Sequence, residues 1–577
     1  MRLSLSLSLA LAAAGAALAQ DALLQRWTNY GAGFSAGGEL AVTWSSATTT
    51  DRLGYRLFPF DGEYTFAPAP ELASYAAPPG KSLPAYTSQL IHRNYLTGLP
   101  KGVRLQYVIA TDPANPATFS GVSEVLTHPG VGPDVPATLM VLADIDRRPS
   151  VVAALSDPAH NRTARATAGG VVLGDLAYAN GDNAVWDSWQ EFFDPVAAKL
   201  PIMVNAGNHE LTNEPGFVAF KTRFGAMPYT REFEDAVNLF YSFEVGAMHV
   251  IVLSAFSDYS AASTQTFFLK SDLAKVNRTR TPWLLVGFHA PWYNANTQHF
   301  LQVDDMRVEY EPLFLAARVN VVMVGHVHAF QRTKMIGASG LVVDDASGKG
   351  IVHWMVGMTG KTLYKSWRPE PFPEPQPPDA PPNDWVAAKD ATFFGFATIE
   401  VPNATHACLR AFCTERSPAN APGACDPDVP LDEYWLVNQL VANPLPTPAP
   451  PPSATSLPSA TASESVTPTI SQSPTASLSF GASPSNTPSA SPTLSVSPSP
   501  TSSAGAAAGN ALAAERNAEG AMTSKALGTG VGVGLVVAAV VAAGASFLSS
   551  LRRRLVRERI AAKSAPAVVV TEFGVRV

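Results

Sequence analysis

Cysteine is scarce in this chain of 577 residues, which contains only Cys408, Cys413 and Cys425. Three thiols close at most one intramolecular disulfide, which excludes a fold held together by a disulfide framework. Cys413 and Cys425 flank a loop rich in proline and glycine, so we predict that these two residues pair. Cys408 lies in a strand-like run and is predicted to remain a buried free thiol. The other pairings stay open.

Basic residues are also fewer than acidic residues. The chain has 40 Lys and Arg and 47 Asp and Glu, which gives a formal charge of −7. Residues 551–577 hold seven basic and two acidic side chains, a net +5, so the rest of the chain carries −12. An acidic exterior argues against a nucleic-acid partner.

Charge is absent from two apolar segments near the ends of the chain. Residues 1–19 contain an apolar run and the small-x-small site Ala17-Leu18-Ala19, which predicts a secretory signal peptide. Residues 526–550 are predicted to form a transmembrane helix, since their uncharged stretch is long enough to cross a bilayer. The basic segment 551–577 is then cytoplasmic. We therefore expect a single-pass type I membrane protein of the secretory pathway, with the cell surface as its default location.

The segment 441–525, before the predicted membrane helix, is rich in Ser, Thr and Pro over most of its length. Such a composition cannot bury a core and is typical of an extended, O-glycosylated stalk. Three N-glycosylation motifs, at Asn161, Asn277 and Asn403, fit a glycoprotein.

Residues 20–130 show short alternating apolar runs separated by turn residues, which predicts an all-β sandwich module without a ligand cluster. Across 136–440, strands alternate with helical or loop segments, which indicates an α/β domain. Five of its apolar runs end at polar residues suited to binding a metal. In open α/β sheets ligands bind beyond the carboxyl ends of the strands, so we expect these five ends to converge.

The candidate ligands at these strand ends comprise two carboxylates, a phenol, an amide and three imidazoles. This hard-to-borderline set suits iron, manganese or zinc rather than copper(I) or a structural cysteine–zinc site. Seven ligands exceed the shell of one ion, whereas a shared carboxylate would serve two ions about 3.5 Å apart. A phenolate favours ferric iron in particular. The seven residues are Asp144, Asp175, Tyr178, Asn208, His289, His326 and His328.

In order along the chain, these strand-end blocks resemble those of purple acid phosphatases, which belong to the calcineurin-like metallophosphoesterases. The resemblance implies an α/β metallophosphoesterase sandwich of βαβαβ type, preceded by an all-β fibronectin type III-like domain. The blocks are Asp144, Gly174-Asp175-x-x-Tyr178, Gly207-Asn208-His209-Glu210, Val286-x-x-His289 and Gly325-His326-x-His328.

The resemblance also implies how the residues are used. Fe(III) would be held by Asp144, Asp175, Tyr178 and His328. A divalent Zn, Mn or Fe ion would be held by Asp175, Asn208, His289 and His326. His209 and His299 would contact the phosphate. The implied activity is that of an acid phosphatase, which hydrolyses phosphate monoesters by attack of a hydroxide bound to a binuclear Fe(III)–M(II) centre.

Three positions depart from the family pattern. Asp146 replaces a usual glycine near the metals, and its side chain is expected to point to solvent rather than crowd the ferric ion. Gln298 stands where many members have a histidine or tyrosine, and Gln331 replaces an acidic residue. Two rivals stay open: a cell-surface binding protein that has lost turnover, and a phosphodiesterase or pyrophosphatase. A homodimer also stays open.

Overall fold

The structure is a computed structural model that describes residues 25–31, 40–80, 83–156, 167–214, 216–228, 238–369, 385–417 and 425–442. The predicted signal peptide, membrane helix and cytoplasmic tail lie outside these residues, as do Asn161 and the predicted stalk from residue 443 onward. Among the helices of the described residues, none has the length and apolar character required to span a bilayer.

The described chain begins with ten strands and continues with strands and α-helices. The first ten strands are β1 (Trp27–Tyr30), β2 (Leu40–Ser46), β3 (Arg52–Leu57), β4 (Thr65–Phe66), β5 (Glu71–Ala73), β6 (Ala76–Ala77), β7 (Tyr86–Thr87), β8 (Leu90–Leu96), β9 (Arg104–Ala110) and β10 (Ser123–Leu126). The next strands are β11 (Ala137–Leu142), β12 (Thr167–Leu173), β13 (Ile202–Asn205), β14 (Tyr241–Val245), β15 (Met248–Val252), β16 (Trp283–Gly287) and β17 (Val321–Val324). The last strands are β18 (Phe330–Thr333), β19 (Val352–Val356), β20 (Val386–Asp390), β21 (Phe393–Val401), β22 (His406–Arg416) and β23 (Pro430–Val437). The α-helices are α1 (Pro149–Ser156), α2 (Asn183–Ala197), α3 (Val218–Arg223), α4 (Thr264–Lys275), α5 (Asp304–Ala316) and α6 (Gln439–Ala442).

The front part of the chain is an all-β module, as its alternating runs predict. Two antiparallel four-stranded sheets have the orders β1-β2-β8-β5 and β10-β9-β3-β4. Trp44, Leu105 and Tyr107 are buried in the core of this module, because alternate side chains of each strand face inward. Its assignment as fibronectin type III-like stays a prediction.

The larger part of the described chain contains two mixed sheets. One has the order β13-β12-β11-β21-β22-β23, and the other has the order β14-β15-β16-β17-β19-β18-β20. β11, β12 and β13 are parallel and are connected through α1 and α2, while β15, β16 and β17 are parallel and are connected through α4 and α5. The βαβαβ arrangement therefore occurs twice, once in each sheet, and the α/β prediction is confirmed.

The five strand ends do not share the single open sheet that the strand pattern of the sequence predicts. β11, β12 and β13 belong to the first sheet, whereas β16 and β17 belong to the second. The two sheets are joined directly, since the Asn205 amide donates to the carbonyl of Leu253 at 2.7 Å and the Tyr241 hydroxyl donates to the carbonyl of Val204 at 2.6 Å. The ends meet because the sheets pack against each other.

Helix α2 illustrates how the sequence builds these layers. The Asp182 side chain caps its first turn by accepting from the backbone N–H of Ala184 at 3.3 Å. Trp186, Trp189 and Phe193 recur at helical spacing and are all buried. This apolar stripe packs the helix into the main core.

The single disulfide of the described residues joins Cys413 and Cys425, whose Cα atoms are 5.0 Å apart. Cys408 is free and buried on β22. The predicted pairing and the predicted free thiol are therefore both confirmed.

Candidate metal centre

The structure places the seven predicted ligands at the ends of five strands, and the described contacts join all of them except Asn208. Each residue follows its strand within a few positions, where the backbone leaves the sheet and can turn its side chain toward the neighbouring strands. Asp144 follows β11, Asp175 and Tyr178 follow β12, Asn208 follows β13, His289 follows β16, and His326 and His328 follow β17.

One group of side chains consists of Asp144, Asp175 and His328, whose ligand-type atoms all lie within 4.8 Å of one another. The Tyr178 hydroxyl reaches the same place, 3.2 Å from Oδ1 of Asp144 and 3.1 Å from Nε2 of His328. These are the four residues that the resemblance assigns to Fe(III).

A second group consists of Asp175, His289 and His326, which again approach one another within 4.8 Å. Nε2 of His289 lies 3.2 Å from Oδ2 of Asp175. Asp175 belongs to both groups, so it stands where a bridging carboxylate would be needed. The division of the residues thus matches the predicted pair of ion sites, while their metal roles remain predictions.

The site also contains buried polar atoms that form no hydrogen bond of acceptable geometry within the part of the chain that the structure describes, although two of them face each other at 3.2 Å. They are Oδ2 of Asp175, Oδ1 of Asn208 and Nε2 of His289, one atom from each of three predicted ligands of the divalent ion. Unsatisfied buried polar atoms are rare in folded proteins and require a specific reason. A bound cation supplies one, so the residues present fit a metal.

The groups behind the candidate ligands hold them in orientation. The Glu210 carboxylate accepts from the backbone N–H groups of Asp175, Leu176 and Gly207 at 2.8, 2.9 and 2.7 Å. Oδ2 of Asp144 accepts from the backbone N–H of His326 at 2.8 Å. Glu210 is therefore a positioning residue, because it fixes the loops that carry two of the five blocks.

The backbone is left-handed at several candidate ligands. The φ angles are 57° at Asp144, 55° at Asp175, 53° at Tyr178 and 69° at His326. This conformation costs a non-glycine residue about 1–2 kcal/mol. Such strain is typical of functional sites, where it aims side chains in directions that a regular strand does not allow.

Gly207 shows why a glycine precedes Asn208. A Cβ atom at this position would collide with Oδ1 and the backbone nitrogen of Asp175. The close approach lets the loop after β13 pass directly beside the shared carboxylate, which any larger residue would displace.

The electrostatics of the site are strongly perturbed. Burial opposes charge on both carboxylates and raises the pKa of Asp144, whereas the imidazoles of His289 and His209 hold the pKa of Asp175 well below its usual range. Burial and the Asp144 charge raise the pKa of the Tyr178 phenol well above its usual value. Deprotonating this phenol therefore requires a strong nearby positive charge, which is the property that favours a ferric ion.

The two predicted phosphate-contacting histidines lie at the rim of the cluster. Nε2 of His209 is 3.7 Å from Oδ2 of Asp175, and its side chain is 29% exposed. The ring of His299 lies 3.9 Å from that of His326, centroid to centroid. Both histidines are thus close to the candidate ligands. They are partly exposed, as Asn208 is, whereas the other six candidate ligands are buried, so they lie where a group that meets an incoming substrate should be.

Two of the three departures from the family pattern have local explanations. The Asp146 side chain forms a 2.9 Å ion pair with Lys361, whose Nζ lies 4.1 Å above the ring of Tyr178. Gln331 is buried and serves the fold: its side chain accepts from the backbone N–H of Ala295 at 2.8 Å and donates to the carbonyl of Tyr293 at 2.8 Å.

Three residues that contact the predicted ligands or the predicted phosphate-contacting histidines were not predicted from the sequence. Oδ1 of Asn180 contacts Nδ1 of His209 at 2.5 Å. Tyr364 stacks on His328 with ring centroids 4.2 Å apart. Gln302 contacts His326 and His299. Asn180 follows Tyr178 closely and could have been suspected, whereas nothing in the local sequence distinguishes Gln302 or Tyr364.

Comparison with known families gives the class of protein to which this fold and site correspond. The model of the calcineurin-like phosphoesterase family matches residues 139–330, which extend from β11 to β18 and contain all seven candidate ligands. A purple acid phosphatase from yellow lupin (Lupinus luteus) seeds has a similar fold, with a TM-score of 0.58 and 18% identity over 72% of this chain and 74% of the lupin chain.

Sequence relatives then identify the particular family. Purple acid phosphatase 18 of Arabidopsis thaliana is 39% identical over 46% of this chain and 56% of its own length. The purple acid phosphatase of Glycine max is 32% identical over 56% of this chain and 69% of its own length. Purple acid phosphatase 1 of Ipomoea batatas is 30% identical over 62% of this chain and 73% of its own length. The chain belongs to the purple acid phosphatase family, and the predicted resemblance is confirmed.

Proposed function

We propose that this protein is an acid phosphatase that hydrolyses phosphate monoesters with a binuclear metal centre. The observation that carries the proposal is the pair of ligand groups that share Asp175. Membership of the family supports it, although the aligned region spans only 56% of the Arabidopsis relative.

The first ion of the proposed centre is Fe(III), held by Asp144, Asp175, Tyr178 and His328. The second ion is divalent (Zn, Mn or Fe), and is held by Asp175, Asn208, His289 and His326. When bound, the two ions would supply the activated water and the positive charge that displacement at phosphorus requires.

In this proposal the protein's own histidines orient the substrate. Asn180 contacts Nδ1 of His209, and Gln302 contacts Nδ1 of His299 at 3.0 Å. These contacts hold both rings beside the candidate ligands, where a protonated imidazole would donate a hydrogen bond to a phosphoryl oxygen or a proton to the departing alkoxide. Protonation of either histidine for this role favours acidic pH.

We further propose that this activity is displayed on the exterior face of a membrane. The support comes from the sequence alone: a predicted signal peptide at 1–19, a stalk at 441–525, a single membrane helix at 526–550 and a basic tail at 551–577. The proposed partners are phosphate esters, and nucleic acid is not among them. The oligomeric state, including a homodimer, is to be measured in solution.

The activity is tested with the full chain on an aryl phosphate across a range of pH, with metal content measured in parallel. We expect hydrolysis with an acid optimum, and an Asp175→Asn variant that loses both bound metal and, by about a hundredfold or more, activity. Asp146→Asn is the matched control and keeps both, since Asp146 pairs with Lys361 instead of the ligands. A metal-free, inert wild-type chain would favour the binding-protein alternative, and preferential cleavage of a diester or pyrophosphate would favour the other rival.

The proposed ferric ion has a separate test at Tyr178. Its hydroxyl lies among Asp144 and His328 and has no other role in the described contacts. We expect an iron-loaded wild-type chain to absorb visible light, and Tyr178→Phe to lose this absorption while iron remains bound. Unchanged absorption in Tyr178→Phe would show that the phenol is not a ligand.

A further inference from the structure

The three candidate histidine ligands differ in what holds the ring nitrogen that faces away from the cluster. Nδ1 of His289 contacts the carbonyl oxygen of Leu173 at 2.6 Å, and Nδ1 of His328 contacts the carbonyl oxygen of Thr362 at 2.8 Å. In both cases Nε2 is left to face the carboxylates. A metal-bound imidazole commonly donates its second N–H to such an oxygen, which fixes both its tautomer and its orientation.

His326 is held by a side chain instead. Its Nε2 contacts Oε1 of Gln302 at 2.7 Å, so Nδ1 is the nitrogen left for an ion. His326 is 2% exposed, whereas Gln302 is exposed and lies over it between His299 and helix α5. Among these three histidines, this is the only such contact that a single substitution can remove.

The same oxygen serves a second imidazole. Oε1 of Gln302 also contacts Nδ1 of His299 at 3.0 Å, and the rings of His299 and His326 are 3.9 Å apart. A carbonyl oxygen has two lone pairs and can accept from both N–H groups. The backbone at His299 is left-handed, with a φ of 55°, as is that at Leu301, with a φ of 58°. The loop that carries Gln302 is thus bent to bring the amide to both rings.

We propose that Gln302 is a positioning residue for the divalent-ion site. Its side-chain carbonyl holds Nδ1 of His326 toward the ion and Nε2 of His299 toward the substrate, so that one amide links ion binding to substrate contact. This inference rests on the proposed function for its link to substrate, but its link to the ion can be measured without any substrate.

The test is Zn²⁺ binding to the metal-stripped full chain by titration calorimetry. Gln302→Leu keeps the side-chain size but removes the acceptor, and we expect it to weaken Zn²⁺ binding by about 10- to 100-fold, as is usual for the loss of a group that orients a ligand. Gln302→Glu keeps an acceptor oxygen and should bind Zn²⁺ within about threefold of wild type. The matched control is Gln298→Leu, an exposed glutamine four positions earlier whose side chain makes no described hydrogen bond.

Each outcome decides the inference. Zn²⁺ binding by Gln302→Leu within twofold of wild type, or an equal loss in Gln298→Leu, would overturn it. If circular dichroism shows that Gln302→Leu does not fold, Gln302→Asn carries the same expectation, because its shorter side chain cannot span both rings. A wild-type chain that binds Zn²⁺ but hydrolyses no ester would refute the proposed function alone, whereas one that binds no Zn²⁺ would refute both.

Discussion

At the scale of single residues, Asp146 provides a prediction. We expect Asp146→Gly to change the free energy of unfolding by no more than about 1 kcal/mol, because relief of its left-handed strain offsets the loss of a half-exposed ion pair. Its φ is 47° and its side chain is 34% exposed in the pair with Lys361. Activity on an aryl phosphate should stay within about threefold, measured beside a thermal melt.

Asp144→Asn is the comparison for that experiment, because it alters a candidate ligand two residues away and is expected to lose metal. A tenfold change of activity in Asp146→Gly would instead mean that Asp146 acts on the candidate metal centre.

For single residues, side-chain chemistry was easier to predict from the sequence than backbone conformation. The order of the blocks around Asp175 and His289 identified the side chains that meet. Their left-handed backbone angles could not be predicted, because they arise from loops that lie between two packed sheets. Gln302 was missed for a related reason, since its role depends on a contact with His326 that no local pattern records.

At the scale of helices and strands, apolar runs predicted β11, β13, β15, β16 and β17 to within two residues, since buried strands in parallel sheets read as continuous apolar stretches. The start of β12 at Thr167 was missed, because its apolar run begins only at Val171. The apolar run from Met248 to Leu253 ends in no ligand-type residue and predicts a purely structural strand, which the structure shows as β15. The split into two sheets could not be predicted in this way, because a strand–helix–strand pattern looks the same in either sheet.

His249 on β15 gives a pH prediction at this scale. Burial alone would lower its pKa, but Asp272 and Glu244 raise it to about 9, with Nε2 of His249 2.8 Å from Oδ2 of Asp272. The folded state therefore prefers the charged imidazole, and its contribution of up to about 3 kcal/mol is complete below pH 6.5 and lost as pH rises through 9. We expect His249→Gln to destabilise the chain most below pH 6.5, with the deficit shrinking toward pH 9 in denaturant melts.

His128 is the control, because its contribution to stability depends on pH in the opposite direction. Burial lowers its pKa to about 4, so the folded state prefers the neutral ring. Its favourable contribution is complete above pH 6.5 and is lost as pH falls toward 4, so His128→Gln should reduce the acid sensitivity of the chain. A His249→Gln deficit that does not depend on pH would contradict the assigned charge.

At the scale of the whole described molecule, the front module and the α/β region share buried contacts. Trp27 on β1 donates from its ring nitrogen to the carbonyl of Ile202 at 3.0 Å. Arg223 on α3 donates to the Tyr75 hydroxyl at 2.9 Å and pairs with Asp187 at 2.8 Å. The sequence predicted both parts but not this contact surface, because its residues are distant along the chain and follow no shared motif.

Arg223 gives a prediction at the scale of the whole described molecule. Its side chain is 1% exposed, so Arg223→Leu removes the ion pair with Asp187 and the link to Tyr75, and leaves Asp187 only the hydrogen bond from the Tyr86 hydroxyl. We expect a loss of about 3–5 kcal/mol in the free energy of unfolding, measured by denaturant titration. Arg104→Leu is the control: its pair with Glu124 lies on the surface of the front module, with 56% of the Arg104 side chain exposed, and is worth at most about 1 kcal/mol. Equal losses in the two variants would refute the role of Arg223.

The placement of the candidate ligands on both sheets has one more consequence. Asp175 and Asn208 follow strands of one sheet, and His289 and His326 follow strands of the other. A cation held by all four would therefore cross-link the two sheets. Separating the two sheets would then require release of the ion. At a free metal concentration a thousand times the dissociation constant, binding would add about 4 kcal/mol to the free energy of unfolding. Removal of the metal by a chelator should therefore lower the free energy of unfolding of both sheets as well as abolish the activity.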